Sequence, residues 1–151
     1  MNRKSCINKI MFVCHGNICR SPMAEFIMKD LVAKAGVADR FQIASAAVSR
    51  EEIGNPVYPP ARRELARHGI ACANRAARQV TMEDYHHYDR IYYMDGSNAR
   101  YLARLLPQNE EKIRPLLDHD VADPWYTGDF SQTWEDVVTG CRAILEEFYG
   151  R

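Results

Sequence analysis

Residues 10 to 25 read Ile-Met-Phe-Val-Cys-His-Gly-Asn-Ile-Cys-Arg-Ser-Pro-Met-Ala-Glu, and this stretch constrains the chain most. Ile10 to Val13 is a short apolar run rich in β-favouring side chains, as a buried strand requires. Ser21-Pro22 then opens a helical pattern, with Ser suited to the N-cap and Pro to the first helical position. Between them lies a loop that carries Cys14 and, after five intervening residues, Arg20. Gly16 and Asn17 tolerate positive φ, which lets successive backbone N–H groups converge. Those groups and the positive helix end form a cradle for an anion. Arg20 adds a planar fork matching two oxygens of a tetrahedral group. Cys14 at the base is set to be a nucleophile, because the donors that hold the anion also favour a thiolate.

Strand and helix alternate along the rest of the chain. The pattern predicts helices over 22–35, 60–68, from Thr81, from Ser97 to Leu106, and 131–148. Strands are expected over 41–46, 90–94 and 113–117, the last an edge strand because of Pro115. On the first helix Met23, Phe26, Ile27, Leu31 and Ala35 share the apolar face. On the last, Trp134, Val137, Val138, Cys141, Ile144, Leu145 and Phe148 do so. Alternation of this kind gives an α/β fold: a doubly wound four-stranded parallel sheet with helices on both faces and the phosphate-binding loop after the first strand. Ligands bind such sheets beyond the carboxyl ends of the strands, where Cys14 falls.

The 151 residues suit a single domain spanning 1–151. Lys plus Arg and Asp plus Glu are both 20, so the net charge is zero. Neither nucleic acid nor a membrane is an expected partner, and anion recognition must be local. The first residues lack the apolar core of a signal peptide. Five cysteines without framework spacing point to free thiols and a cytoplasmic location. No Cys/His cluster has metal-ligand spacing, so no metal or cofactor is expected. His68 and the adjacent His86 and His87 carry no ligand pattern.

Cys14-His-Gly-Asn-Ile-Cys-Arg-Ser-Pro22 resembles the signature of the low-molecular-weight protein tyrosine phosphatases, and Asp123-Pro124-Trp125-Tyr126 is similar to that family's general-acid loop. The resemblance extends over nearly the whole chain. It implies a phosphotyrosine phosphatase working through a cysteinyl-phosphate, with phosphotyrosine proteins as partners and a monomer or weak homodimer as the assembly. Cys14 would be the nucleophile, Arg20 the transition-state stabiliser and Asp123 the general acid and base. His15, Gly16, Asn17, Ile18, Cys19 and Ser21 would line the phosphate loop, with Ser21 both capping the helix and donating to Cys14. Asn17 would be held by Ser45 at the end of the second strand. Trp125 and Tyr126 would wall the pocket and stack on a phenol ring. Cys19 would form a reversible disulfide with Cys14 under oxidation. In the family a Thr matching Ile18 accompanies phosphoarginine selectivity, so Ile18 implies phosphotyrosine. Glu51, beside Arg50 and Glu52, stands where an aromatic is frequent and points to basic residues flanking the phosphotyrosine. Two other readings are an arsenate reductase on the same fold and a non-catalytic phosphate-binding module. The first would need a relay pair that Cys72 and Cys141 do not supply by spacing. The second leaves Cys14, Arg20 and Asp123 together unexplained.

Overall fold

A computed structural model describes residues 7–149. The expected N-terminal features and Cys6 lie outside those residues. The strands are β1 (Asn8–Cys14), β2 (Phe41–Ala47), β3 (Arg90–Tyr93) and β4 (Ile113–Pro115). They form one parallel sheet in the order β2-β1-β3-β4. The helices are α1 (Arg20–Lys34), α2 (Pro59–Arg67), α3 (Met82–His87), α4 (Gly96–Leu105), α5 (Pro124–Thr127) and α6 (Phe130–Tyr149). The fold is the expected one, and β4 with its proline is at the edge, where a missing N–H costs no ladder bond. Among the described residues no helix is long and apolar enough to cross a membrane.

The pleat of β1 divides the core. Ile10, Phe12 and Cys14 face the layer built by α1, α2 and α6, whereas Met11 and Val13 face Leu102 and Leu106 on the α4 side. All five are almost fully buried. A strand covered on both faces must read as a continuous apolar run, which is why 10–13 carries no polar alternation. β1 is also where the chain order reverses, with β2 on one side and β3 on the other. A crevice opens at that point, beyond the carboxyl ends of β1 and β3.

Several boundaries differ from the sequence pattern. α1 begins at Arg20, with Cys19 as its N-cap residue and no side-chain cap. Ser21 and Pro22 therefore lie inside the first turn, where Pro22 still sacrifices no helical hydrogen bond. Ser21 does not cap the helix because its hydroxyl is engaged with Cys14. α4 is capped by Asp95 rather than Ser97: Asp95 accepts from the Asn98 N–H at 2.8 Å, and Asn98 reaches back to the Asp95 N–H. Ala35 is exposed and Leu31 only partly buried; Ala24, Met28 and Val32 complete the α1 face. The end of α1 follows the pattern. Gly36 has φ 74°, and the Gly36 and Val37 N–H groups donate to Ala33 and Val32, satisfying the last carbonyls. The short α5 had no periodic signal, since it is a single turn capped by Asp123.

Candidate active site

The loop from Cys14 to Arg20 turns out of β1 directly into α1. Asn17, in the left-handed region at φ 60°, is the described non-glycine residue with positive φ. Gly16 does not adopt positive φ, contrary to expectation. Its lack of a side chain matters for space instead: a Cβ there would meet Glu52 Cγ at 3.0 Å. The Asn17 strain is held from behind. Asn17 Nδ2 donates to Ser21 Oγ at 2.8 Å and to Ser45 Oγ at 3.0 Å. Ser45 in turn donates to Glu25 Oε1 at 2.6 Å. Asn17 Oδ1 accepts from the Arg75 guanidinium and from the Arg78 N–H. Asn17 and Ser21 are fully buried and stand behind the pocket rather than on its wall.

Cys14 Sγ lies 3.1 Å from Ser21 Oγ and 3.4 Å from the Ser21 N–H. Ser21 Oγ accepts from Asn17, and its own proton can go either to the Ala46 carbonyl at 3.4 Å or to the nearer sulfur. Among the described residues no acceptor takes the backbone N–H groups of Gly16, Asn17, Ile18 or Cys19. Four unpartnered donors in the loop that carries the thiol suit it to cradle an anion.

Arg20 is 2% exposed. One terminal nitrogen donates to Asp95 Oδ2 and to the Val121 carbonyl, both at 2.7 Å; the other lies 3.4 Å from Asp123 Oδ2. Its Nε has no partner among the described residues, which leaves one edge of the guanidinium for a bound anion. Burial alone would draw its pKa down, but Cys14, Asp95 and Asp123 around it hold it above the ordinary value. Burial, then the negative charge of Cys14 and Asp123, pushes the Cys19 thiol well above its usual range. Cys19 is therefore a neutral thiol beside the proposed nucleophile, not a second one.

The pocket above the sulfur has a volume of about 160 Å³. Cys14, His15, Gly16, Ile18, Cys19 and Arg20 form its floor; Glu51, Glu52, Asp123, Trp125 and Tyr126 form its rim. Asp123 is oriented by its capping role, with Oδ1 accepting from the Trp125 N–H at 3.1 Å. Trp125 packs on Tyr58 with ring centroids 4.8 Å apart, while Tyr126 is 83% exposed. Glu51 is engaged with His15, Oε2 to Nε2 at 3.1 Å.

Asp95, Glu25, Arg75, Arg78 and Tyr58 escaped the sequence reading. Asp95 was the most findable, because Asp-Gly-Ser-Asn after a strand end is both a cap signal and a position at the carboxyl edge. Arg75 lies in an irregular segment with no periodic signal. Cys72 and Cys141 lie apart from this site: Cys141 is buried between α6 and α1, its thiol pushed up by burial.

Comparison with known proteins gives a consistent set of matches. The family described as low molecular weight phosphotyrosine protein phosphatase matches residues 9–149. The low molecular weight protein-tyrosine-phosphatase YfkJ of Bacillus subtilis is 40% identical over 144 residues, covering 90% of this chain and 92% of its own. Its crystal structure superposes with a TM-score of 0.91 over 95% of this chain and 96% of that one, at 38% identity. The human low molecular weight phosphotyrosine protein phosphatase is 39% identical over 149 residues, 91% of this chain and 94% of its own. The crystal structure of DARP, a Drosophila arginine phosphatase, gives a TM-score of 0.82 at 30% identity, over 93% of this chain and 98% of that one.

Proposed function

The chain belongs to the low molecular weight phosphotyrosine protein phosphatase family, and we propose that it hydrolyses phosphotyrosine on proteins through a phosphoryl group carried by Cys14. It is a hydrolase of the protein-tyrosine-phosphatase class. The observation that carries the mechanistic reading is the position of Arg20, which borders the Cys14 loop and lies 3.4 Å from the Asp123 carboxylate.

In the first step the Cys14 thiolate attacks phosphorus in line with the tyrosyl oxygen. The S–P bond forms as the P–O bond to the ring breaks. Asp123, entering as the carboxylic acid, gives its proton to the departing phenolate. Arg20 and the loop N–H groups hold the equatorial oxygens, where charge is spread in the transition state. In the second step Asp123, now a carboxylate, takes a proton from water as that water attacks phosphorus. The S–P bond breaks, inorganic phosphate leaves, and the Ser21 hydroxyl stabilises the returning thiolate. Asp95 is the positioning residue for Arg20, and Asn17 with Ser45 positions the loop.

Ile18 and Trp125 suit a flat phenol ring, and Glu51 and Tyr126 frame the entrance. Cys19 lines the same pocket as Cys14 and would serve as a resolving thiol under oxidation. Four unpaired cysteines among the described residues support a cytoplasmic location. One domain acting as a monomer or weak homodimer is the assembly we infer.

The test compares wild type, Cys14→Ser and Asp123→Asn on p-nitrophenyl phosphate, a phosphotyrosine peptide and a phosphoarginine peptide. Cys14→Ser is expected to lose all measurable turnover. Asp123→Asn should lose about 10²–10⁴-fold on phosphotyrosine and less on the good leaving group. Wild-type-like turnover by Cys14→Ser would remove the covalent step, and a preference for phosphoarginine would overturn the assignment from Ile18.

A further inference from the structure

Beside the catalytic pocket, across the His15–Glu51 pair, lies a second groove of about 500 Å³. Glu51 lines both cavities. Arg50, Gln79, Tyr101, Arg104 and Leu105 are among its other walls. Tyr101 forms part of the boundary, its ring edge-on to His15 with centroids 5.4 Å apart. Gln79 is fixed by donating to the Val48 carbonyl at 3.2 Å. The Arg104 guanidinium lies over the Tyr101 ring, 5.8 Å from its centroid. Leu105, 38% exposed, adds an apolar patch.

The charge balance of this groove differs from that of the pocket rim. Glu51 is committed to His15 at 3.1 Å. Arg50 and Arg104 are exposed and form no ion pair with any described residue. In a chain with equal numbers of acidic and basic residues, two arginines without ion-pair partners face this groove against the single carboxylate of Glu51, which leaves it a net positive field. A peptide leaving the pocket on this side crosses the His15–Glu51 ridge and meets those arginines.

We propose that this groove is a specificity subsite that takes the carboxylate side chain of an acidic residue flanking the phosphotyrosine, with Arg104 and Arg50 as the residues that recognise it. The inference rests on the phosphotyrosine reading of the neighbouring pocket. Contacts made equally in the ground and transition states lower KM and leave kcat alone. Exposed ion pairs are individually weak, so the two arginines together should favour an acidic over a neutral flanking residue by about three- to tenfold in kcat/KM. The preference should shrink as salt is raised.

A phosphotyrosine peptide series varying each flanking position among Ala, Asp, Lys and phosphotyrosine, with wild type, Arg104→Gln and Arg104→Glu, tests this. Wild type is expected to favour Asp through KM, Arg104→Gln to lose most of that preference, and Arg104→Glu to turn it toward Lys. Turnover of p-nitrophenyl phosphate, which cannot reach the groove, should be the same in all three. The proposal is overturned if wild type prefers Lys, as Glu51 alone would suggest, or shows no preference. An Asp preference that survives in Arg104→Glu also sinks it. So does an advantage confined to a second phosphotyrosine, or an equal loss on p-nitrophenyl phosphate. Loss of p-nitrophenyl phosphate turnover by wild type itself would instead strike the reading of the pocket.

Discussion

Ser21 illustrates how one side chain serves two ends of the same loop. Its oxygen accepts from Asn17 at 2.8 Å, and its proton has two acceptors in reach, the Ala46 carbonyl at 3.4 Å and the nearer Cys14 Sγ at 3.1 Å, which takes it once the sulfur is a thiolate. A donor fixed before the reaction costs no reorganisation when charge returns to sulfur. Ser21→Ala should therefore lower kcat by about 10²–10³-fold, the range for loss of one preorganised donor, with KM for p-nitrophenyl phosphate little changed. Steady-state kinetics measures this; an equal rise in KM at constant kcat would assign Ser21 to ground-state binding instead. Cys14 and Arg20 were singled out by local spacing and flanking turn residues, and Asp123 by the resemblance of Asp123-Pro124-Trp125-Tyr126 to a general-acid loop; the structure brings the three to one pocket. Ser21 was half legible. Its contact with Cys14 was expected, but the cap assignment failed because buried hydroxyl chemistry outcompeted helix capping. Asp95 and Arg75 were hidden by distance: Asp95 lies 75 residues from the guanidinium it holds, and no local pattern encodes that pairing.

At the scale of elements, the loop depends on a segment that is not itself regular. Residues 75–78 reach Asn17 through the Arg75 side chain and the Arg78 N–H. Arg78 is anchored by Asp84 through two hydrogen bonds, 2.8 and 3.0 Å. Asp84 also closes the capping box of α3 with Thr81. Burial raises the Asp84 pKa, but the Arg78 pair and the Thr81 bonds outweigh it and hold the carboxyl below its ordinary value. Arg78 shifts upward for the same reason. A carboxyl with a depressed folded pKa contributes stability that is present above its unfolded value of about 4 and is lost as pH falls through the folded one. Wild type should thus be more stable than Asp84→Asn at neutral pH, and the gap should close below about pH 4. Denaturant unfolding across that range checks it; a gap independent of pH would mean that the charge is not responsible. The helix itself was legible from Thr81 with Glu83 and Asp84 in the first turn. The Arg78 anchor was not, because it lies upstream of any periodic segment.

Across the whole molecule, the residues of the proposed site and those that hold them come from three distant parts of the chain: 14–21, Asp95 and 121–123. Parallel topology brings them together. The carboxyl ends of β1 and β3 lie side by side, and the Val121 N–H donates to the Met94 carbonyl at 2.9 Å, tying the Asp123 segment to the end of β3. The alternating pattern of strands and helices announced this architecture, because parallel sheets need helical crossovers and buried apolar strands. Sheet order and the approach of Asp123 to Arg20 were not in the pattern. They arise from packing of α1, α2 and α6 on one face of the sheet and α4 on the other. The central claim is that this assembly passes a phosphoryl group through sulfur, and Asp123→Asn offers the most direct view of it. With p-nitrophenyl phosphate the leaving group needs no acid, so the first step proceeds, while hydrolysis of the phosphocysteine lacks its base. Acid quench during turnover, followed by mass spectrometry of the digest, should find one phosphoryl group on the peptide carrying Cys14, with a burst of one p-nitrophenol per enzyme. No burst and an unmodified Cys14 peptide, or the phosphoryl group on another residue, would contradict the account.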